Sequence, residues 1–307
     1  MKQRTIKKSV RCSGIGLHGG DRVQLELHPA PENKGIVFRV QKDRGTEFLE
    51  TCPENVISTD LATTLGRDGV SVGTVEHLMA AIRGLGLDNL FVDVQGGEVP
   101  IMDGSAASFV LLIRSAGVRE QAAEKKVLAL KREVRFVEEG RWIRATPADS
   151  FRVSYSIDFD HPLVGRQQRK FVLKEEGFVR GLSRARTFGF LHQVEALQKK
   201  GLARGGSLEN AVVLDEYGVV NPEGLRFEDE LVRHKILDFI GDMGLLEHQL
   251  WGHFEVHCSG HSLNNAFLRH LSANREDYLE PARVSAPASA TAPARKEKLP
   301  EASPAWA

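Results

Sequence analysis

Apolar and polar positions along this chain follow two periods. Val23-Gln24-Leu25-Glu26-Leu27-His28 alternates residue by residue, as a half-buried strand does. Ile36-Val37-Phe38-Arg39-Val40 and Leu90-Phe91-Val92-Asp93-Val94 read the same way, as do Val134–Val137 and Arg152–Ile157. Between them the period changes to that of a helix. Thr74–Arg83, with Thr74 as N-cap and Gly84 near the end, is expected to be helical. So are 105–117, 190–200, 231–246 and 264–273. Gly14-Ile15-Gly16-Leu17-His18-Gly19-Gly20 is a tight connection between strands.

The pattern repeats with a long period. Glu76-His77-Leu78-Met79-Ala80-Ala81-Ile82 and Arg233-His234-Lys235-Ile236-Leu237-Asp238-Phe239 each place a histidine near a helix start. A strand and a second helix follow in each case, at Asp103-Gly104-Ser105 and at His261-Ser262-Leu263. This predicts an α+β protein of two similar halves, residues 1–118 and 127–275, each a layered sheet plus helices. Residues 119–126 are polar and charged and read as a linker. From Val284 onward the chain is rich in Ala, Pro and Ser, and residues 276–307 are expected to be a disordered tail.

Bulk properties narrow the function. Lys+Arg and Asp+Glu both number 41 in 307 residues, so no basic excess points to nucleic acid. No apolar run is long enough for a membrane span, and stable membrane insertion is not expected. Three cysteines with no CxxC pair argue for a reducing compartment, hence the cytoplasm, and against a cysteine zinc site.

The candidate chemistry lies on the repeated helices. His234 and Asp238 are four residues apart and share a helix face, so both can hold one cation. His77 offers a second imidazole, and Glu76 beside it a carboxylate placed as a general base. Oxygen and imidazole ligands favour zinc or iron(II) over copper(I). Each residue also has a plainer account. A lone histidine at a helix start is usually just polar, and Glu76 could simply favour the positive end of the helix dipole. It is the combination that favours a metal. His261, between Gly260 and Ser262 in an expected loop, is a second proton-transfer group. Asp242, one turn beyond Asp238, could hold it protonated, or could be a solvated helix-end charge. Thr187 offers a hydroxyl to an oxyanion or is an ordinary strand threonine. Arg184, Arg186 and Lys235 could clamp phosphates or form a solvated basic face. Leu191, Val194 and Leu197 recur at helical spacing, as a local core would.

Several long motifs, in order from about Arg4 to Leu271, resemble the UDP-3-O-acyl-N-acetylglucosamine deacetylase family. They are Gly14–His18, Thr74–Ala81, Ile101–Ala106, Ser183–Phe190, Gly224–Glu230, Arg233–Asp242 and Gly260–Asn265. The resemblance implies removal of the N-acetyl group of a UDP-linked, 3-O-acylated glucosamine, the committed step of lipid A synthesis in Gram-negative bacteria. It implies helices sandwiched between two sheets in each half. It makes His77, His234 and Asp238 zinc ligands, Glu76 the base, His261 the general acid with Asp242 as its electrostatic partner, and Thr187 an oxyanion donor. Glu76 acting alone in both transfers stays open. Lys235 would lie near the phosphates, Phe188 beside the sugar and Phe159 against uracil. It turns the apolar stripe into an acyl-chain passage within an insert at about 190–217. Leu191, Val194, Ala203, Gly206, Ser207 and Val213 would line that passage. The partner implied is the UDP-sugar alone, a monomer is compatible, and contact with the inner membrane would be transient. Two other readings stand beside this one: a metal amidase acting on a non-lipid acetylated sugar, and a non-catalytic nucleotide-sugar or lipid binder that keeps the fold.

Overall fold

A computed structural model describes residues 1–42, 45–162, 164–199 and 201–282. The chain is α+β. Its first sheet has five strands, in the order Val10–Ile15, Arg22–Pro29, Leu90–Gln95, Ile36–Lys42, Gly45–Glu50. Neighbours run antiparallel except Ile36–Lys42 against Leu90–Gln95. The alternation read from Val23 to Leu27 is real. Val23, Leu25 and Leu27 are buried while Arg22 and Gln24 are exposed. A small three-stranded sheet, Val56–Ser58, Thr64–Arg67 and Val70–Val72, falls between Gly45–Glu50 and Leu90–Gln95 in sequence.

The second large sheet is built around Gln249–His257. That strand pairs antiparallel with Arg141–Thr146 and parallel with both Val127–Leu130 and Phe151–Phe159. Three neighbours are possible because the register differs along its length. Val127 faces Gln249 at one end and Trp142 faces His257 at the other.

Two central helices carry the site. α1 (Glu76–Gly84) is buried at all nine positions, and in the later, longer helix (Glu230–Met243) twelve residues are buried. The other helices are Ala107–Ala116, Glu175–Gly181, Leu191–Lys199, His261–Ala273 and Arg275–Tyr278. Numbered in chain order they are α2, α3, α4, α6 and α7, with Glu230–Met243 as α5. α1 and α5 touch backbone to backbone at Gly241, where a Cβ would stand 2.1 Å from the Glu76 carbonyl oxygen. Cations, Arg83 buried and Arg4 and Lys125 partly so, close the C-terminal ends of both helices. The Arg83 guanidinium donates to Gly244 O at 2.7 Å and Leu246 O at 2.6 Å, past the end of α5. Arg4 donates to Leu85 O at 2.9 Å and Lys125 to Gly86 O at 3.0 Å, past the end of α1. Otherwise unpaired carbonyls are thus satisfied by groups whose charge also suits the helix dipole.

Four expectations are corrected. Residues 119–126 are not an open linker, since Val118–Glu124 is a strand paired with Lys2–Ile6. A two-stranded ribbon with charged residues along it lacks the apolar alternation that marks a sheet strand. The tail does not begin at 276. Residues up to Tyr278 form α7, and Leu279–Pro281 pairs antiparallel with Val127–Leu130, burying Leu279. Residues 283–307 lie outside the described residues. Thr74 does not cap α1. The N-cap is Val75, and Thr74 has φ +56°, an unfavourable backbone region for a β-branched residue. Finally, His261 is the first residue of α6 and not a loop residue ahead of it.

The contact at Gly241 yields a prediction. Gly241→Ala has no room without parting α1 from α5 and is expected to cost about 1–3 kcal/mol, as overpacking does. Thermal unfolding checks this. An unchanged melting temperature would mean that the helices do not depend on that close approach.

Candidate metal centre and active site

α1 and α5 bring together residues far apart in the chain. His77 Nε2 lies 3.5 Å from Asp238 Oδ1, and His234 Nε2 lies 3.2 Å from the same oxygen. The two imidazole rings meet edge to face with centroids 4.9 Å apart. One ligand atom from each residue falls within a 4.8 Å cluster, and all three residues are buried. His234 Nδ1 is 3.1 Å from the Ala185 carbonyl oxygen, which can only accept. The proton therefore sits on Nδ1, and Nε2 presents its lone pair to the cluster. Burial pushes the His234 pKa down to about 3, against the pull of Asp238, so the ring is neutral, the form that binds metal.

The fit to a cation rests on Asp238. Burial alone would raise its pKa, but His234 and Lys235 outweigh burial and hold the carboxyl well below its usual range. Lys235 Nζ donates to Oδ2 at 2.6 Å. Oδ1 is buried and has no hydrogen-bond donor among the described residues. A buried charged oxygen facing two imidazole nitrogens is costly unless something positive sits between them. These three residues therefore suit a divalent ion, and the oxygen–imidazole set suits zinc or iron(II).

Glu76 and His261 flank the cluster. Glu76 is 3% exposed, and burial raises its pKa despite the opposing charges of His261 and His77. One carboxylate oxygen, Oε2, accepts from the Thr63 backbone N–H at 3.0 Å. The other lies 4.0 Å from His261 Nε2. His261 Nδ1 donates to Asp242 Oδ2 at 2.8 Å. Burial pulls the His261 pKa down, but Asp242 in contact, with Glu76 and Asp238 behind, outweighs it and lifts the value to about 9. The site thus holds a carboxylate whose proton affinity is raised and an imidazolium that keeps its proton at neutral pH. That is the pairing that general base and general acid catalysis require.

Most of the expected residues meet here. Glu76, His77, Phe159, Thr187, Phe188, His234, Lys235, Asp238 and His261 all line one cavity of about 340 Å³. Asp242 stands behind His261, 2% exposed. Leu191, Val194, Ala203, Gly206, Ser207 and Val213 line a neighbouring cavity of about 390 Å³. The two cavities share Leu17, Leu61, Thr187, Phe188 and Gly189. Arg186 departs from expectation. Its guanidinium is buried, donates to Glu230 Oε1 at 2.9 Å and to Gly224 O at 2.7 Å, and so is not free to clamp a phosphate. Sequence reasoning missed Leu17, Leu61, Thr63 and Asn264. Leu17 and Leu61 sit in loops among polar or glycine neighbours, where periodicity carries no signal. Thr63 and Asn264 act through contacts that only the fold creates.

This is a buried His-His-Asp cluster flanked by a carboxylate and an imidazolium, in a cavity that adjoins an apolar one, in an α+β protein. The profile of the LpxC family, UDP-3-O-acyl N-acetylglycosamine deacetylase, matches residues 3–273, and the chain belongs to that family. A UDP-3-O-acyl-N-acetylglucosamine deacetylase of Oleidesulfovibrio alaskensis is 54% identical over 305 residues, covering 99% of this chain and 98% of the relative. The like-named proteins of Nitratidesulfovibrio vulgaris and Myxococcus xanthus are 57% and 52% identical, covering 91% and 92% of this chain and 91% and 90% of their own lengths.

Two predictions follow from the geometry. Added zinc is expected to raise the melting temperature of metal-stripped protein, by about 2.7 kcal/mol of stability at a hundredfold excess over Kd. Asp238→Ala should remove most of that rise, and no shift with either zinc or iron(II) would refute the centre. The second concerns His261, followed by ¹⁵N NMR in metal-free protein. Its imidazolium should persist to about pH 9 rather than its ordinary 6.5. Because the folded value is raised, the stability it contributes is full below about 6.5 and is lost as pH rises through about 9. Asp242→Asn should move the midpoint down. A midpoint unmoved by that change would exclude Asp242 as the cause.

Proposed function

We propose that this chain is a zinc-dependent amide hydrolase that removes the N-acetyl group from UDP-3-O-acyl-N-acetylglucosamine and releases acetate. The observation that carries this reading is a pair of adjoining cavities with shared walls, one lined by the His-His-Asp cluster, Glu76 and His261 and the other largely by apolar side chains. The relatives' names give the substrate. The two cavities explain why such a substrate fits. Its amide has to reach Glu76 and His261 while its acyl chain leaves water.

His77, His234 and Asp238 hold the ion. When bound, it supplies Lewis-acid polarisation of the amide carbonyl and lowers the pKa of water. Glu76 takes a proton from water as the oxygen attacks the acetyl carbon. The Thr63 N–H keeps one Glu76 oxygen occupied, so the other does this work. A C–O bond forms, and the negative charge that develops on the carbonyl oxygen is met by His261 and the Thr187 hydroxyl. His261 then gives its proton to the sugar nitrogen as the C–N bond breaks. Phe159 and Phe188 meet edge to face, 5.6 Å between centroids, and present apolar surface to the nucleotide sugar. Lys235 lines the same cavity and brings a positive charge toward its phosphates. Leu191, Val194, Ala203, Gly206, Ser207 and Val213 take the acyl chain. Among the described residues no helix is long and apolar enough to cross a membrane. We place the reaction in the cytoplasm, with only transient contact at the inner membrane.

Acetate release by metal-stripped protein, with and without zinc, tests the proposal. Zinc should restore release, and Glu76→Ala should lower it by roughly 10²–10⁴-fold, the usual worth of a general base. Folded protein that releases no acetate with any divalent metal would sink the assignment. Equal turnover of a substrate without the 3-O-acyl chain would favour an amidase for soluble sugars instead.

A further inference from the structure

The network behind His261 contains a side chain that the chemistry above does not use. Asn264 lies in the first turn of α6 and is 1% exposed. Its Nδ2 donates to Asp242 Oδ2 at 2.8 Å, the oxygen that also accepts from His261 Nδ1. A carboxylate oxygen only accepts, so the amide nitrogen must be the end that faces it. Asn264 Oδ1 is thereby turned to the Ser259 hydroxyl, which donates to it at 2.6 Å. Ser259 is anchored in turn, because its carbonyl oxygen accepts from the buried Tyr155 hydroxyl at 2.7 Å. The Thr63 hydroxyl donates to the other oxygen, Asp242 Oδ1, at 2.7 Å and stands 3.2 Å from His261 Nδ1.

We propose that Asn264, oriented by Ser259, is a positioning residue that fixes the plane of the Asp242 carboxylate and so aims His261 at the reacting nitrogen. The kinetic part of this inference rests on the deacetylase reading. Apart from His261, each carboxylate oxygen has one donor: Thr63 on Oδ1 and Asn264 on Oδ2. With Asn264 gone, Thr63 on Oδ1 is the one donor left besides His261 itself among the described residues, so carboxylate and imidazole can turn together about the Asp242 Cβ–Cγ bond. His261 follows the oxygen it is bonded to. An acid displaced by even part of an ångström transfers its proton poorly. Asn264 itself is buried and lines neither cavity, so it does not offer itself to substrate. Its loss should therefore slow turnover without weakening binding.

Two variants of the zinc-loaded full chain test this. Asn264→Leu keeps the approximate shape and removes the donor, whereas Ser259→Ala removes only the group that orients it. Asn264→Leu is expected to lower kcat by about tenfold or more, with KM changed less than about twofold, since a misplaced catalytic group costs rate rather than affinity. Ser259→Ala should act in the same direction by a smaller factor. In both, the His261 Nδ1–H proton resonance should broaden or move from its wild-type position. A merely structural residue would lower the melting temperature and leave that resonance and the kcat-to-KM split alone. Folded Asn264→Leu with wild-type kcat, or with its loss confined to KM, would overturn the proposal. If Asn264→Leu does not fold, Ser259→Ala decides, and wild-type kcat together with an unmoved resonance would overturn it. Should the wild-type chain release no acetate, the deacetylase reading fails separately, and the resonance in the two variants still decides whether Asn264 positions His261.

Discussion

Everything at the centre depends on how closely α1 and α5 approach. Gly241 allows the backbone of α5 to lie against the Glu76 carbonyl. Glu76 and His77 open α1, while on α5 Asp238 lies three residues before that contact and Asp242 directly after it. A larger residue at 241 would part Glu76 from Asp242 and His77 from Asp238 in one movement. The same approach makes the centre dry, and dryness is what makes its charges effective.

Dryness has a cost that the arrangement meets locally. Burial disfavours the ionised form of every group here. It is overcome at Asp238 by His234 and Lys235 and at His261 by Asp242, but not at Glu76. These outcomes suit the three roles proposed above: an anionic ligand, a charged acid and a base with raised proton affinity. Groups left without a counter-charge in so dry a place would protonate, deprotonate or destabilise the fold. The helix ends follow the same logic. Burial lowers the Arg83 pKa, yet its guanidinium is retained because it closes the carbonyls beyond α5.

The parts of this design that were legible in sequence are those in which local spacing and chemistry coincide. His234 and Asp238 share a helix face whatever the rest of the fold does, and Glu76-His77 places a carboxylate and an imidazole side by side. The alternation of Val23, Leu25 and Leu27 survives because one sheet face is buried. Where tertiary contact decides, local pattern misleads. Val118–Glu124 looks like a linker because its edge ribbon is polar, and Leu279 looks like tail because its partner strand lies some 150 residues earlier in sequence, at Leu128–Leu130. Arg186 reads as a solvated cation until Glu230, on another element, is seen to enclose it. His261 looks like a loop residue because Gly260 and Ser262 flank it, although α6 starts there.

Thr63 and Asn264 illustrate the deeper limit. Neither belongs to a metal-ligand spacing, and each has a hydrogen-bonding group that could serve many purposes. Thr63 is near Glu76 in sequence but reaches it through backbone N–H, which every residue but proline has. Its hydroxyl meets Asp242 far along the chain. Asn264 is three residues from His261, so helical geometry places it near, yet nothing local says that its amide will share an oxygen with the imidazole. Residues that perform chemistry are constrained by element type and are therefore readable in a motif. Residues that aim them are constrained only by where the fold leaves a donor or an acceptor unpaired. The first kind can be sought by spacing, and the second has to be found by following each buried polar atom to its partner.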